Sequence, residues 1–190
     1  MIILIYIYFL LNFNFIIQYK TMSLSIITGP MFSGKTSALI NIIEEEKKSN
    51  KVAVINYIDD NYDEKKMATH DGKSIECIRT KKLSDVVVEL SRHYNIFAIN
   101  EAQFFEDIYE GVIYLLDHNK LVYICGLDGD YKKEPFGNML RLIPHCDKII
   151  KLKAICECGA NAIFTKRLTD EEEQIIIGDK IYKPVCRKCY

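Results

Sequence analysis

Residues 29–37, GPMFSGKTS, are suited to holding a polyphosphate. They follow the apolar run SLSIIT and precede ALINIIEEEKK, a segment that predicts a helix. Gly29 and Gly34 allow backbone conformations that turn several N–H groups toward one point, where the N-terminus of the next helix also favours negative charge. In this spacing Lys35 would reach the β- and γ-phosphates, and the Thr36 hydroxyl would ligate Mg²⁺. A chance match in an ordinary strand-turn-helix is the weaker alternative.

A carboxylate follows another predicted strand. The apolar segment IFAIN at 96–100 leads into Glu101, and Phe104 comes shortly after it. Open α/β sheets bind their ligands at the carboxyl ends of strands. There Glu101 could take a proton from an attacking hydroxyl, and Phe104 could offer a ring face to a planar base. The simpler alternative for such a glutamate, taken alone, is a solvated strand end.

Four of the seven cysteines form two close pairs. Cys156 and Cys158 are separated by one residue, and Cys186 and Cys189 by two. Four thiolates suit tetrahedral Zn²⁺, and paired cysteines in a chain without a credible secretion signal are more often metal ligands than disulfides. This usage of cysteine predicts a structural zinc site and a reducing, cytoplasmic location.

The segments between these motifs predict an α/β fold. Short apolar runs predict strands at 23–28, 52–57, 96–100, 121–126 and 148–152. Apolar residues at helical spacing predict helices at 83–94 and 106–119. Strands that alternate with helices form a parallel sheet covered on both faces, so we expect a P-loop three-layer parallel sheet domain. Short β-prone pieces around the cysteines predict a small, zinc-ribbon-like C-terminal lobe.

Size and charge restrict the kind of ligand. A chain of 190 residues can bury one substantial core, which we assign to residues 23–152, with the lobe at 153–190. The net charge is −1, and the lysines are spread along the chain rather than clustered. A nucleic-acid partner is therefore not expected, and the predicted ligand is small.

Together these residues resemble the thymidine kinases of the class shared by vertebrate cytosol and poxviruses. The resemblance runs from about Ser23 to Tyr190. It rests on ordered motifs: GPMFSGKT, THD at 69–71, NEAQFF, GLDGDYKKEPFG at 126–137, LKAIC, TKR at 165–167 and the closing VCRKCY. The resemblance implies transfer of the ATP γ-phosphoryl group to the 5′-hydroxyl of thymidine. It also implies a homotetramer that is inhibited by dTTP bound in the nucleoside pocket.

The resemblance also assigns residues to the site. Glu101 corresponds to the family's general base, and residues 126–137 to a lasso loop that closes over the nucleoside. Tyr131 falls where the family usually has a Phe against the thymine ring, opposite Phe104. The implied ATP contacts are Gly29, Pro30, Met31, Phe32, Ser33, Gly34, Lys35 and Thr36. The other implied thymidine contacts are Met31, Asp60, Leu127, Thr165, Gln174, Ile175, Ile176, Ile177, Gly178 and Tyr182.

Four departures from the family pattern bear on metal binding and affinity. Asn100 stands where the family has an Asp that, with the P-loop hydroxyl of Thr36, helps hold Mg²⁺. Cys156 and Cys158 form C-x-C where the family has C-x-x-C, which leaves an empty or distorted site as the alternative to zinc. The segment 59–63 lacks a common Arg, and Lys133 stands where an Arg is frequent.

Residues 1–22 are expected to be an N-terminal extension outside the family pattern. The apolar run at 2–11 is shorter than the roughly 20 residues needed to cross a bilayer. It also lacks the features of a signal or transit peptide. We interpret Met22 as the natural start, with a membrane-surface anchor as the alternative, and expect no membrane association of the enzyme.

Two other functions remain open from the sequence. Asn100 and the shortened cysteine spacing could mark a nucleotide-binding homologue with little or no kinase activity. The other hypothesis is a P-loop ATPase that acts on macromolecules, which the lasso motif and the lack of a basic surface disfavour.

Overall fold

A computed structural model of the chain describes residues 22–58, 66–68, 72–176, 178 and 180–190. Of the predicted site residues, Asp60 and Ile177 lie outside the described residues. So do the motif at 69–71 and almost all of the predicted N-terminal extension.

A parallel sheet forms the centre of the molecule. Within the described residues it has six strands: β1 (Ser23–Thr28), β2 (Val52–Tyr57), β5 (Ile78–Thr80), β6 (Ile96–Asn100), β7 (Leu121–Gly126) and β8 (Lys148–Lys151). Their order across the sheet is β5-β2-β6-β7-β1-β8, and every neighbouring pair is parallel. The predicted strands are thus present, and the α/β fold class is confirmed.

The helices cover both faces of this sheet. They are α1 (Lys35–Lys47), α2 (Val87–Leu90) and α3 (Ile108–Asp117), with 3-10 turns at Leu83–Asp85, Ala102–Phe104 and Met139–His145. Leu39, Ile40 and Ile43 of α1 pack on one face of the sheet. Ile108, Val112 and Leu115 of α3 pack on the other face, giving three layers.

The helix predicted at 83–94 is much shorter in the structure. A 3-10 turn at Leu83–Asp85 ends at Val86, whose φ of −126° interrupts the helix before α2. The carboxylate of Asp107 accepts the N–H groups of Leu83 and Ser84, which fixes the start of the segment from outside it. The run of three valines also has low helix propensity because β-branched side chains lose rotamer freedom there.

Short strands form the remaining elements. They are the hairpin of β3 (Lys66–Ala68) with β4 (Ser74–Glu76), and the pairs β9 (Ala154–Ile155) with β10 (Asn161–Ala162) and β11 (Phe164–Arg167) with β12 (Tyr182–Val185). The last two pairs enclose a small core of their own around Ala162 and Val185. Among the described helices, none is long and apolar enough to span a bilayer.

Candidate active site

Residues 29–36, called the phosphate loop below, connect β1 to α1 in a conformation that requires glycine at positions 29 and 34. Gly29 has φ of +143°, and a Cβ atom there would lie 2.5 Å from the carbonyl oxygen of Leu152. Gly34 caps α1 in the left-handed region and supplies no side-chain hydrogen bond to the first turn. The N–H groups of that turn are therefore available to an anion.

The loop contains polar groups that fit a bound polyphosphate. The buried hydroxyl of Ser33 has no hydrogen-bond partner among the described residues. Lys35, which is 9% exposed, donates from Nζ to the carbonyl of Pro30 at 2.8 Å. Burial lowers the pKa of Lys35, while the negative charges of Glu101 and Asp128 oppose that shift. An added anion at this loop would stabilise the ammonium form further.

Glu101 stands at the end of β6 in a strained backbone conformation. Its φ is +54°, in the left-handed region that a residue with a side chain rarely adopts. Its Oε2 accepts a hydrogen bond from Nε2 of Gln103 at 2.7 Å, and Oε1 of Gln103 accepts from the N–H of Leu127 at 3.0 Å. Gln103 thereby fixes the carboxylate relative to the end of β7. A Cβ at Gly126 would lie 2.4 Å from that same Oε1, so a larger residue there would displace the Gln103 amide from these hydrogen bonds.

Asn100 belongs to a buried polar network behind the site. It is 4% exposed, and its Nδ2 donates to Oδ1 of Asn56 at 2.8 Å. The thiol of Cys125 donates to Oδ1 of Asn100 at 2.8 Å. Burial raises the pKa of Cys125 to about 12, so this sulfur keeps its proton at neutral pH. The amide oxygen of Asn100 therefore already has one partner, and one lone pair remains for a metal-bound water.

Aromatic rings line the neighbouring wall. The Phe104 ring lies 5.3 Å from Tyr57 and 5.5 Å from Phe136, measured between ring centroids. Phe104 is half-buried, whereas Phe105 next to it is fully buried in the core. One ring of the pair is thus available to a ligand.

The lasso loop is held by polar contacts within itself and with residues 172 and 174. Oδ1 of Asp130 accepts the N–H groups of Lys132 and Glu134, and Oδ2 accepts from Nε2 of Gln174 at 2.8 Å. The Tyr131 hydroxyl donates to the carbonyl of Glu172 at 2.8 Å. The lasso loop is therefore connected to the segment that contains Gln174, one of the thymidine contacts implied by the family resemblance.

Arg167 organises that segment. It is 6% exposed, and its guanidinium donates to the carbonyls of Glu171 and Gln174 at 2.9 and 3.0 Å and to the Tyr182 hydroxyl at 2.8 Å. Tyr182 in turn donates to the carbonyl of Ile176 at 2.9 Å. A planar guanidinium with five donors is suited to ordering several main-chain oxygens at once.

A direct contact joins the phosphate loop to the C-terminal lobe. The N–H of Met31 donates to Oγ1 of Thr165 on β11 at 3.0 Å. Lys151, at the end of β8, forms an ion pair with Asp128 of the lasso loop. The phosphate loop, the lasso loop and the C-terminal lobe therefore meet along the carboxyl edge of the sheet.

The four paired cysteines come together despite the short C-x-C spacing. The sulfurs of Cys156, Cys158, Cys186 and Cys189 all lie within 4.8 Å of one another, and the sulfurs of Cys158 and Cys186 are 3.6 Å apart. Zn–S bonds of about 2.3 Å in a tetrahedron place sulfurs at about this separation. The N–H of Cys158 lowers the pKa of Cys156 to about 6, whereas hydrogen bonding with Cys158 raises that of Cys189 to about 12. The cluster could form a zinc site.

Most predicted site residues that the structure describes lie along this one edge. The contacts above bring together Met31, Lys35, Asn100, Glu101, Phe104, Leu127, Tyr131, Thr165, Gln174, Ile176 and Tyr182. Ile175 is exposed, and Gly178 has φ of +151°. Gln103, Asn56 and Arg167 had no role assigned from the sequence, although Gln103 and Arg167 stand inside quoted motifs. The roles of the predicted site residues as substrate or metal contacts stay predictions.

Comparison with known proteins identifies the family. A family model described as thymidine kinase matches residues 22–190. The chain is 38% identical over 170 residues to the thymidine kinase of Vaccinia virus (strain Western Reserve), which covers 88% of this chain and 96% of the relative. It is 39% identical over 168 residues to the thymidine kinase of Sheeppox virus (strain KS-1), covering 87% and 94% respectively. The predicted resemblance is confirmed, and the chain belongs to the thymidine kinase family.

Proposed function

We propose that this chain transfers the γ-phosphoryl group of ATP to the 5′-hydroxyl of thymidine, giving thymidine monophosphate and ADP. The observation that carries the proposal is that Lys35 of the phosphate loop and Glu101 at the end of β6 lie near each other at the carboxyl edge of the sheet. The negative charge of Glu101 acts to raise the pKa of Lys35, against the larger lowering caused by burial. A nucleoside between them would have its hydroxyl beside Glu101 and a triphosphate in front of it.

The phosphate loop would position ATP. The N–H groups from Ser33 to Thr36 and the ammonium of Lys35 would stabilise the β- and γ-phosphates. The unpartnered hydroxyl of Ser33 supports an anion at this place. Phosphoryl transfer requires mainly positioning and stabilisation of charge, which this loop is built to supply.

Glu101 would act as the general base. Its carboxylate can accept the proton that the 5′-hydroxyl releases as the oxygen attacks phosphorus. The hydrogen bond from Gln103 holds the carboxylate in one orientation and leaves its other oxygen free of that contact. The strain at position 101 supports a functional reason for this geometry.

The base would bind between the aromatic wall and the lobe. Phe104 would present its ring to thymine from one side and Tyr131 from the other, while main-chain groups of the lobe would read the edge of the base. A slot for the methyl group would separate thymidine from deoxycytidine by shape and hydrogen bonding. The residues proposed for the slot are Met31, Leu127 and Tyr182, and those for main-chain reading are Thr165 and Gln174 to Gly178.

A phosphoryl-transfer assay tests this function directly. With γ-labelled ATP and Mg²⁺, we expect label to appear in thymidine monophosphate in step with ADP release, and far less product with deoxycytidine. If the purified protein binds ATP but returns it unchanged in the presence of thymidine, the non-catalytic alternative is correct. Hydrolysis of ATP that does not depend on thymidine would also contradict the proposal.

Magnesium would be held by Thr36, the ATP phosphates and water near Asn100. When bound, the ion offsets negative charge on the phosphate oxygens. Because Mg²⁺ favours carboxylates, we expect Asn100→Asp to lower the Mg²⁺ concentration needed for half-maximal activity by about 3- to 10-fold. Binding of Mn²⁺ measured by electron paramagnetic resonance with a non-hydrolysable ATP analogue should show the same change.

Asn95→Asp is the matched control for that experiment, because Asn95 is an exposed residue preceding the same strand. It should leave metal binding unaltered. If Asn100→Asp changes neither activity nor metal affinity, Asn100 is not close enough to the ion to matter.

The cysteine cluster is proposed to bind structural Zn²⁺ and to stabilise residues 153–190 as a lid on the kinase domain of 23–152. We expect about one zinc per chain, as in other four-cysteine sites. Cys158→Ser should remove most of that zinc, since three thiolates hold the ion less well. Cys146→Ser, outside the cluster, is the control. Folded wild-type protein that contains no zinc by elemental analysis would refute this assignment.

Regulation and assembly are proposed from the family pattern. We infer that dTTP inhibits by placing its base in the thymidine pocket and its phosphates on the loop, and that the enzyme is a cytoplasmic homotetramer. The free cysteines among the described residues support a reducing location. Strand β8 is the outermost strand on its side of the described sheet, and Ile149 is exposed on it, which supports a further protein contact.

A further inference from the structure

Tyr190 contacts the lasso loop although it lies 59 residues away in the sequence. Its hydroxyl donates a hydrogen bond to the main-chain carbonyl of Tyr131. The Nζ of Lys133, also in the lasso, lies 3.7 Å from the centroid of the Tyr190 ring. One aromatic residue of the lobe therefore makes a polar and a cation–π contact with the same turn of the loop.

Tyr190 is itself held in place by contacts within the lobe. Its main-chain oxygen accepts from Nζ of Lys166 at 2.8 Å, and its ring packs against Phe164 at 5.6 Å between centroids. It also directly follows Cys189, one of the four clustered cysteines. Ordering of the cluster therefore orders Tyr190.

The side chain of Tyr131 is held from a second direction. The Arg167 guanidinium lies 3.6 Å from the centroid of the Tyr131 ring, and the Tyr131 hydroxyl is bound by the carbonyl of Glu172. Arg167 is nearly fully buried and is fixed by its bonds to main-chain oxygens and to Tyr182. Tyr131 is therefore held at its backbone by Tyr190 and at its ring by Arg167.

We propose that Tyr190 and Arg167 are positioning residues that hold Tyr131 in place, so that the cysteine-bearing lobe sets the affinity of the nucleoside pocket. This rests on the proposed function, in which Tyr131 contacts the base. Neither residue touches the phosphate loop in the contacts above, so the effect should fall on thymidine and not on ATP. A loop held in its closed form before the ligand arrives loses less conformational entropy on binding.

Tyr190→Phe tests the proposal with little risk to folding, because it keeps the ring and removes only the hydroxyl. We expect the KM and Kd for thymidine to rise about 3- to 10-fold, in line with loss of one hydrogen bond. The KM for ATP, kcat and the zinc content should stay within about twofold of wild type, because the catalytic groups are untouched. Amide hydrogen exchange of residues 128–136 should become faster in the absence of any substrate.

Tyr123→Phe is the matched control. The Tyr123 hydroxyl donates to Glu46 at 2.7 Å, so this change also removes a hydrogen-bonded tyrosine hydroxyl but lies away from the lasso. It should alter neither the thymidine KM nor exchange at 128–136. Lys133→Met, which removes the cation–π contact, should raise the thymidine KM in the same direction as Tyr190→Phe.

The outcomes separate this inference from the proposed function. An unchanged thymidine KM in Tyr190→Phe would overturn the inference, as would a parallel rise for thymidine and ATP accompanied by loss of zinc. Wild-type protein that makes no thymidine monophosphate would refute the proposed reaction. In that case amide hydrogen exchange still tests the contact between Tyr190 and the lasso loop. Exchange of residues 128–136 in Tyr190→Phe that equals wild type would show that Tyr190 does not hold the loop.

Discussion

Glu101→Gln is expected to lower kcat for thymidine phosphorylation by about 10²- to 10⁴-fold, the usual contribution of a general base. The amide has nearly the same shape and can still contact Gln103, but it cannot accept the proton of the 5′-hydroxyl. The KM for ATP should stay within about twofold, because Glu101 makes no proposed contact with the phosphates. Steady-state kinetics with both substrates, and single-turnover experiments to isolate the chemical step, would measure these effects.

Glu106→Gln is the control for this substitution. Glu106 is exposed and lies on the same segment, so the change removes one negative charge nearby without touching the site. Kinetics close to wild type are expected. Retention of more than about a tenth of wild-type kcat in Glu101→Gln would show that another group accepts the proton.

Lys35→Met is expected to lower kcat/KM for ATP by about 10²- to 10³-fold, the loss typical of removing one electrostatic donor from a preorganised site. The ammonium carries the one full positive charge that the described phosphate loop offers to the transferring group. Binding of ATP measured by calorimetry should weaken as well, since the ground state also uses this contact.

Folding stability gives a second readout for the same variant. Burial lowers the pKa of Lys35, which means that the charged form is held at a cost in the ligand-free protein. Methionine fills similar volume without that cost, so the melting temperature should not fall by more than a few degrees. Lys51→Met, at an exposed lysine before β2, is the control. Unaltered ATP kinetics in Lys35→Met would show that the Lys35 ammonium does not contact the transferred phosphate.

The layered fold could be predicted from local patterns because strands and helices leave a periodic signal. β1, β2, β6 and β7 have the bounds expected from their apolar runs, and β8 is shorter by one residue. The helix predicted at 83–94 was too long because the structure interrupts it at Val86, and the turn before that break is held by Asp107, 24 residues away from Leu83. A tertiary hydrogen bond of this kind leaves no trace in helical periodicity.

The candidate site likewise contains residues that local sequence patterns predict and others that depend on tertiary structure. The phosphate loop follows from glycine spacing alone, and Glu101 from its place at a strand end. The partners that orient them do not, since Gln103, Asn56 and Cys125 are ordinary residues until the sheet brings their strands together. Arg167 stands in a motif that carried the family resemblance, yet its contacts with main-chain oxygens depend on how residues 171–176 fold back, which no local pattern specifies.

The order of strands in the sheet has a consequence for biosynthesis. β1 is made first but lies between β7 and β8, so Thr28 pairs with Gly126, which is 98 residues later. The carbonyl of Leu152 then closes against Gly29. Until those residues have been added, β1 lacks both of its neighbouring strands. The loop at 29–36 therefore acquires its full set of neighbours only after residue 152 has been added, late in translation.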